Sequence, residues 1–346
     1  MSDLKSTGPA TWAALVLGLL ASVVLALGIG RYWVAPQHVI QELVQLLLGQ
    51  SDALQSGAVA LQQKLVLQIR MPRVLTALVV GASLAMCGAA LQGAFRNPLV
   101  GPQILGISSG AALGGCLAIF FSSAMFGVVG LAFAGGMLAI AAVYLLSRTG
   151  GKSQVLVLVL AGVVTSAFFG SLLSLLTYFA DPNETLPAIV FWLMGSFATA
   201  SYLKLASVIV PIALGMVVLY LLRFRINVLS MGDEHAASLG VPVEAVRWAL
   251  LVCVALIVSC GVAIAGSIGW VGLVVPHFAR MLVGPDHRRL LPASALLGAI
   301  FMVWVDTTAR SLTAAEIPLD VITSLIGAPI FALMLRKAHA KGWSNA

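Results

Sequence analysis

The sequence predicts an all-α polytopic membrane protein of about ten transmembrane helices, and three observations carry that prediction. Only 9% of the 346 residues are Asp, Glu, Lys or Arg, against about 25% in an average soluble domain. Residues 97–147, 153–180, 185–203 and 248–279 contain no charge at all, and each run suits one span of about 20 apolar residues, a half span, or two spans joined by a short turn. Mean hydropathy is +1.06 with 60% apolar content, so no polar interval is long enough for a soluble domain. One membrane domain fills residues 1–346. Inside hydrocarbon only helices and closed barrels satisfy their own backbone, and continuous rather than alternating apolar runs select helices.

The spans follow in order. The first runs over residues 12–34. It is not a secretory leader, because Asp3 beside Lys5 weakens the basic start and the apolar run is longer than the usual roughly 15 residues. The second, 74–95, lies between Arg73 and Arg96, and the charge-free run after Arg96 holds two more, 103–121 and 126–146. The fifth is 155–179. Residues 187–197 are too short to cross and open on Pro187, so they read as a half-helix on the outer face, a candidate gate. The sixth is 202–222; 245–266 and 268–283 are the seventh and eighth, 291–309 the ninth and 318–335 the tenth.

Basic residues collect in cytoplasmic loops. With the amino terminus inside, thirteen of the nineteen Lys and Arg fall on inner loops and tails, leaving Arg31, Lys64, Arg70, Arg73, Lys204 and Arg310 outside. Both termini are then cytoplasmic and the number of crossings must be even, which ten satisfies. The net charge of +7 is accounted for by this bias, and no basic run is long enough for a nucleic-acid surface.

No catalytic, cofactor or metal constellation emerges. Cys87, Cys116, Cys253 and Cys260 sit in apolar spans without zinc-type spacing. Gly81, Ala85 and Ala89 make a small-residue face on the second span, and Gly110 and Gly114 another on the third, where helix backbones can approach closely. Gly151-Lys152-Ser153 lacks the glycine a phosphate loop needs five residues earlier, where Leu146 stands. His277, after Pro276, reads as a packing or interfacial residue rather than a ligand.

Two charged sites stand out. Asp306 and Arg310 are four residues apart and can meet on one helix face near the outer surface, either as a structural ion pair or with Arg310 directed outward to an acidic partner. Arg70-Met71-Pro72-Arg73 sets two cations on the side poor in them, as interfacial anchors or as contacts for the same partner. On the inner side, the loop 224–244 contains Met231-Gly-Asp-Glu-His-Ala-Ala-Ser-Leu-Gly240. Asp233 and Glu234 suit a helix amino terminus, Gly240 a stop, and Ala236, Ala237 and Leu239 a small apolar face. Such a helix, away from lipid, needs a cytoplasmic partner.

Taken together, these motifs resemble the permeases of type II ABC importers for iron-siderophores, haem and vitamin B12, the FecCD/BtuC type. The match runs through Arg70-Met-Pro-Arg73, Gln92-Gly-Ala-Phe-Arg-Asn-Pro-Leu99, Leu105-Gly-Ile-Ser-Ser-Gly-Ala111, Leu160-Ala-Gly162, Phe191-Trp-Leu-Met-Gly195, the 232–240 loop, Gly269-Trp-Val-Gly-Leu-Val-Val-Pro-His277, Asp286-His-Arg288, Glu316-Ile-Pro318, Thr323 and Ile326-Gly-Ala-Pro329. The resemblance implies that Arg70, Arg73 and Arg310 pair with glutamates of an external substrate-binding protein. It implies that Gly232, Asp233, Glu234, Ala237, Leu239 and Gly240 form the coupling helices seated in an ATPase subunit, and it makes Gly151, Lys152, Ser153 and Gln154 part of an inner gate.

Two copies of the chain, two cytoplasmic ATPases and one binding protein would then work by alternating access in a bacterial inner membrane. The permease holds no nucleotide itself, and the pathway is lined by the fifth, eighth and tenth spans and the half-helix. The expected cargo is an iron complex, ferric siderophore or haem, with cobalamin or molybdate as alternatives. A departure is Asp320, where many similar permeases carry glycine; it faces the aqueous pathway or pairs locally. An ion-coupled secondary transporter is the reading from a different class, with Asp306 its one candidate group.

Overall fold

The computed structural model describes residues 8–48, 58–122, 124–148, 155–313 and 315–342. Gly151, Lys152, Ser153 and Gln154, the residues assigned to a gate, lie outside the described residues. Every regular element among the described residues is helical. The chain runs through α1 (Pro9–Gly28), α2 (Pro36–Leu47) and α3 (Ala58–Lys64), then through a π-helical turn (Leu65–Arg70) into α4 (Met71–Ala94). A short 3-10 turn (Pro102–Leu105) leads to α5 (Ile107–Phe120), followed by α6 (Met125–Ser147), α7 (Val155–Phe179), α8 (Thr185–Leu193) and α9 (Tyr202–Leu221). Then come α10 (Arg223–Leu229), α11 (Asp233–Ser238), α12 (Val243–Ala265), α13 (Val271–Val283), α14 (His287–Ser311) and α15 (Leu319–Gly342).

Each of the ten expected spans has its helix. Among the described residues seven helices are long and apolar enough to cross a membrane, and α5, α13 and the Leu319–Met334 part of α15 are shorter apolar helices. The half-helix is α8, which starts two residues before Pro187 because proline is tolerated in a first turn, where its missing N–H has no intrahelical partner to lose.

Three elements differ from expectation. The first span stops at Gly28 instead of reaching residue 34, because the chain doubles back there: a Cβ on Gly28 would lie 2.7 Å from the Val34 carbonyl oxygen. The eighth span is the 13-residue α13, about 20 Å long, shorter than the roughly 30 Å hydrocarbon layer. Residues 266–270 lead into it as non-helical backbone. The third is α2, an amphipathic helix that charge-free runs could not reveal because Glu42, His38 and three glutamines interrupt its apolar residues.

Packing places α4 and α12 at the centre. In each, 78% of the spanning window is buried, against 22% for α1 and α7, whose exposed apolar side chains suit a hydrocarbon surround. Close approach comes from small residues. The Gly81 face of α4 meets Gly298 and Met302 of α14, with 2.6 Å between a Cβ built on Gly81 and the Met302 Cβ. Gly88 abuts the Gly272 backbone of α13, and Gly110 and Gly114 of α5 abut Gly135 and Leu131 of α6. Both small-residue faces expected from the sequence are therefore helix contacts.

Candidate functional site

Proline at 72 cannot donate to the carbonyl four residues back, and its ring crowds that carbonyl. The turn before it opens, with the Met71 N–H reaching the Val66 oxygen five residues earlier. This widened turn directs Arg70 toward the end of α1. Its guanidinium donates to the Leu27 oxygen at 2.7 Å, the Gly28 oxygen at 2.9 Å and the Tyr32 oxygen. Arg310, from the end of α14, donates to the Ala26 oxygen. The last carbonyls of a helix have no intrahelical donor and carry its negative dipole end; here two arginines satisfy them. Gly30 lies against both guanidiniums, and a Cβ there would stand 2.7 Å from the Arg70 nitrogen.

Arg73 completes the cluster. Its Nε donates to Asp306 Oδ1 at 2.7 Å, and its two terminal nitrogens donate to both oxygens of Glu316 at 2.8 and 2.9 Å, the bidentate geometry in which Arg–carboxylate pairs are strongest. Arg310 Nε stands 3.5 Å from Asp306 Oδ2, an ion pair without hydrogen-bond geometry, so neither of those atoms has a hydrogen-bond partner. Asp306 is 1% exposed, and Arg70, Arg73 and Arg310 are 4%, 8% and 9% exposed. Of the two readings the sequence leaves for Arg310, the structure shows the ion pair, and Arg70 and Arg73 also have partners within the chain. All three guanidiniums are turned into the bundle, because unpaired carbonyls and two carboxylates offer them partners there. The pairing of Asp306 with Arg310 is as the spacing indicated, and Arg73 is the partner that local spacing could not show.

A second assembly joins the ends of α8, α12 and α15. The Ser196 N–H donates to the Ala265 oxygen at 2.9 Å, Leu319 N–H to the Gly195 oxygen at 3.0 Å and Asp320 N–H to the Met194 oxygen at 3.1 Å. Gly195 and Gly266, at φ +74° and +72°, pack backbone on backbone, with 3.0 Å from a Cβ built on Gly266 to the Gly195 Cα. Asp320 Oδ1 accepts from the Gly269 N–H at 2.9 Å, so its carboxylate pairs locally. Trp270, at φ +67°, lies against Gly327 of α15 and meets the Phe331 ring edge-on at 6.0 Å. Beside α8 is a cavity of about 340 Å³ walled by Trp192, Phe191 and Ala263, with the Lys204 ammonium donating to Thr199 Oγ1 at 2.8 Å.

The opposite rim carries the loop between α9 and α12. α10 turns at Gly232, φ +117°, into α11, and Gly240, φ +77°, ends the hairpin. Arg247 of α12 is 1% exposed and donates to both oxygens of Asp233 at 2.8 Å. The expected apolar face is split: Ala236 is on the buried side of α11, while Ala237, Leu239 and Met231 are exposed. Consecutive residues of a helix point about 100° apart, so Ala236 and Ala237 necessarily diverge. Asn227 of α10 donates to Asp286 Oδ1 at 2.6 Å and accepts from the His287 N–H at 2.9 Å. Partial burial pushes the Asp286 carboxyl up, but the bonds from Arg288 N–H and Asn227 and the charges of Arg288 and Arg289 outweigh it and hold it below the usual carboxylate range. Of these residues, Asn227 is not marked by any sequence signal; Arg247 stands out only as one of the inner basic residues that bound the loop, and Asp286 only as part of a motif.

His277 meets Phe278 edge-on at 6.2 Å, in keeping with packing. The four cysteines are free and buried. Among the described residues no group of three His, Cys, Asp or Glu is placed to hold a metal ion.

These two rims lie at opposite ends of α4, whose 24 residues span about 36 Å. Comparison with known proteins gives a consistent answer. The profile described as the FecCD transport family matches residues 18–337. The molybdate import system permease protein MolB of Haemophilus influenzae is 45% identical over 331 residues, covering 96% of each chain. A probable iron chelatin transport system permease protein of Helicobacter pylori is 44% identical over 271 residues, 78% of this chain and 82% of that one. A solved structure of the metal-chelate ABC transporter type, in an inward-facing conformation, superimposes with a TM-score of 0.84 at 44% identity, over 95% of this chain and all of the other.

Proposed function

This chain belongs to the FecCD transport family, and from that premise we propose that it is the membrane-spanning permease of an ATP-driven importer, working as a pair of copies with two ATPase subunits and a substrate-binding protein. The observation that carries the proposal is the separation of two dissimilar polar assemblies by one long buried helix. At one end of α4 is the arginine–carboxylate cluster. At the other, Arg96 lies 3.3 Å from a Cβ built on Gly232, at the start of the α11 hairpin. Gly232, Asp233, Glu234, Ala237, Leu239 and Gly240 form the hairpin that receives the ATPase, with Ala237, Leu239 and Met231 as its exposed apolar contacts.

Asp306 argues against an ion-coupled carrier. Such carriers need an ionisable group near the midplane that can gain and lose a cation, and Asp306 is already committed to Arg73 and Arg310 at a rim. The cargo is an iron complex in the first reading, a ferric siderophore or haem, supported by the iron chelatin relative and the metal-chelate structural neighbour. Molybdate is the second reading, favoured by the relative that matches over 96% of both chains. Reconstitution tests both. The permease in vesicles with its ATPase and binding protein is expected to take up radiolabelled ferric siderophore only when ATP is supplied; haem and molybdate run in parallel. Uptake driven by a proton or sodium gradient without ATP would reject the importer.

The delivery protein docks, in this proposal, on the rim held by Arg70, Arg73 and Arg310. Three guanidiniums against Asp306 and Glu316 leave that cluster with an excess of one positive charge, which draws in acidic residues. Reversing these arginines would unfold the rim they hold, so the usable measurement is salt dependence. Association of binding protein with the intact permease is expected to weaken several-fold between 50 and 500 mM salt as attraction is screened. Salt-independent association would remove the rim charge from the docking step.

A further inference from the structure

We propose that Asp320 is a positioning residue for transport: it joins α8, the 266–270 bend and the start of α15 into one unit that moves together at the pathway mouth. The inference rests on the importer reading above. Asp320 grips two elements at once, its N–H bonded to Met194 at the end of α8 and its carboxylate to the Gly269 N–H at the entry of α13.

Four bonds hold this assembly, and three of them are backbone to backbone. Those three link α8 to α15 and α8 to the end of α12, and they form whatever the side chains are. Only the fourth reaches the entry of α13, and only it depends on a particular side chain. Backbone N–H groups at membrane depth need a partner, and a carboxylate makes a charge-assisted one, stronger than a neutral acceptor. Without it α8 and α15 stay joined, while the bend keeps only its packing contacts, Gly266 on Gly195 and Trp270 on Gly327. A Cβ at Gly269 would stand 2.9 Å from Asp320 Oδ1 and 3.0 Å from Gln103 Nε2, so a larger residue there would push on both side-chain ends. Trp270 and Gly327 provide the second point of contact between bend and α15.

In alternating access, a unit so joined passes movement at the α13 entry directly to the half-helix. Cutting the one side-chain bond should leave ATP hydrolysis running while transport stalls.

The test is amide hydrogen exchange on the permease with its ATPase in lipid nanodiscs, nucleotide-free and trapped with ATP and vanadate, for the parent, Asp320→Ala and Asp320→Asn. In the parent, segments 194–196, 266–271 and 319–321 are expected to change protection together between the two states. In Asp320→Ala, segment 266–271 should exchange at least tenfold faster in both states, and uptake per ATP hydrolysed should fall at least tenfold. Asp320→Asn, which keeps an oxygen acceptor, should restore most of both. Parent-like exchange and uptake in Asp320→Ala would overturn the positioning role while leaving the importer intact. If the parent itself shows no ATP-dependent change in any segment, the importer reading fails and this inference with it. Should Asp320→Ala not accumulate in the membrane, the parent alone decides: one common opening rate for the three segments supports the joined unit, and three unrelated rates overturn it.

Discussion

Asp306→Ala is expected to destabilise the purified permease by about 3–5 kcal/mol, the range for removing one partner of a buried ion pair. The carboxylate is 1% exposed and adds an ionic tie between α4 and α14 to their glycine packing, through Arg73 Nε at 2.7 Å, while it also faces Arg310 of its own helix at 3.5 Å. Its loss leaves Arg73 with Glu316 alone and Arg310 without a carboxylate, in a region with little water to replace either. Buried cations without partners are the costly case. The damage should spread, because Arg310 also holds the Ala26 carbonyl at the end of α1. Asp306→Asn, which keeps an oxygen for Arg73 Nε but drops the charge, should fall between parent and alanine variant. Denaturant or thermal unfolding in detergent measures this. An alanine variant that unfolds with the parent would show that the rim is held by its apolar packing and not by this carboxylate.

Arg247→Ala should leave the bundle folded and abolish the connection between ATP hydrolysis and transport, lowering uptake at least tenfold. Arg247 is buried beneath the hairpin and donates to both oxygens of Asp233, the first residue of a helix only six residues long. Isolated helices of that length are unstable in water, so α11 depends on its anchors. A charge-assisted contact of this kind is worth about 1.5–3 kcal/mol, enough to convert a fixed lever into one that spends much of its time displaced. Asp233→Asn should have a weaker effect in the same direction, since the amide retains one acceptor. The double variant should be no worse than Arg247→Ala alone, because the two residues act through one contact. Uptake and ATPase rates measured together in vesicles read this out; a parent-like ratio in Arg247→Ala would mean that packing of Ala236 and Leu229 positions the hairpin unaided.

The fold was largely legible in the sequence, because charges are excluded from hydrocarbon and their spacing marks the spans. The positions of α7, α9 and α12 followed from Lys152, Lys204, Arg223 and Arg247. The bend before α13 did not, because residues 266–270 are as apolar as a helix and differ only in glycines, which this chain uses elsewhere for close packing. α2 was missed because its face alternates with polar residues at a membrane edge. The site was legible as residue types but not as geometry. Arg70, Arg73 and Arg310 were recognisable as cations where few occur, yet their inward orientation depends on carbonyls of α1 and on Asp306 and Glu316, more than 230 residues from Arg73. The hairpin fared better, since the Asp233 and Glu234 start and the Gly240 stop are local signals. Its anchor, Arg247, lies 14 residues away on a different helix, beyond what local spacing reveals.

A turn that closes one residue late offsets the phase of everything upstream by about 100°, and Leu65–Arg70 is such a turn. Downstream of it, Gly81 and Gly88 must stay in register with Gly298 and Gly272, so the deep part of α4 tolerates no rotation. Upstream, Gln62 of α3 donates to the Tyr32 hydroxyl at 3.4 Å, a single exposed contact in place of the close glycine packing below. A change of phase before the turn can be taken up there, by opening or closing a single loop of hydrogen bonds, without rotating the part of α4 that follows. The register of α4 against α13 and α14 is thereby separated from the phase of the turns that precede it.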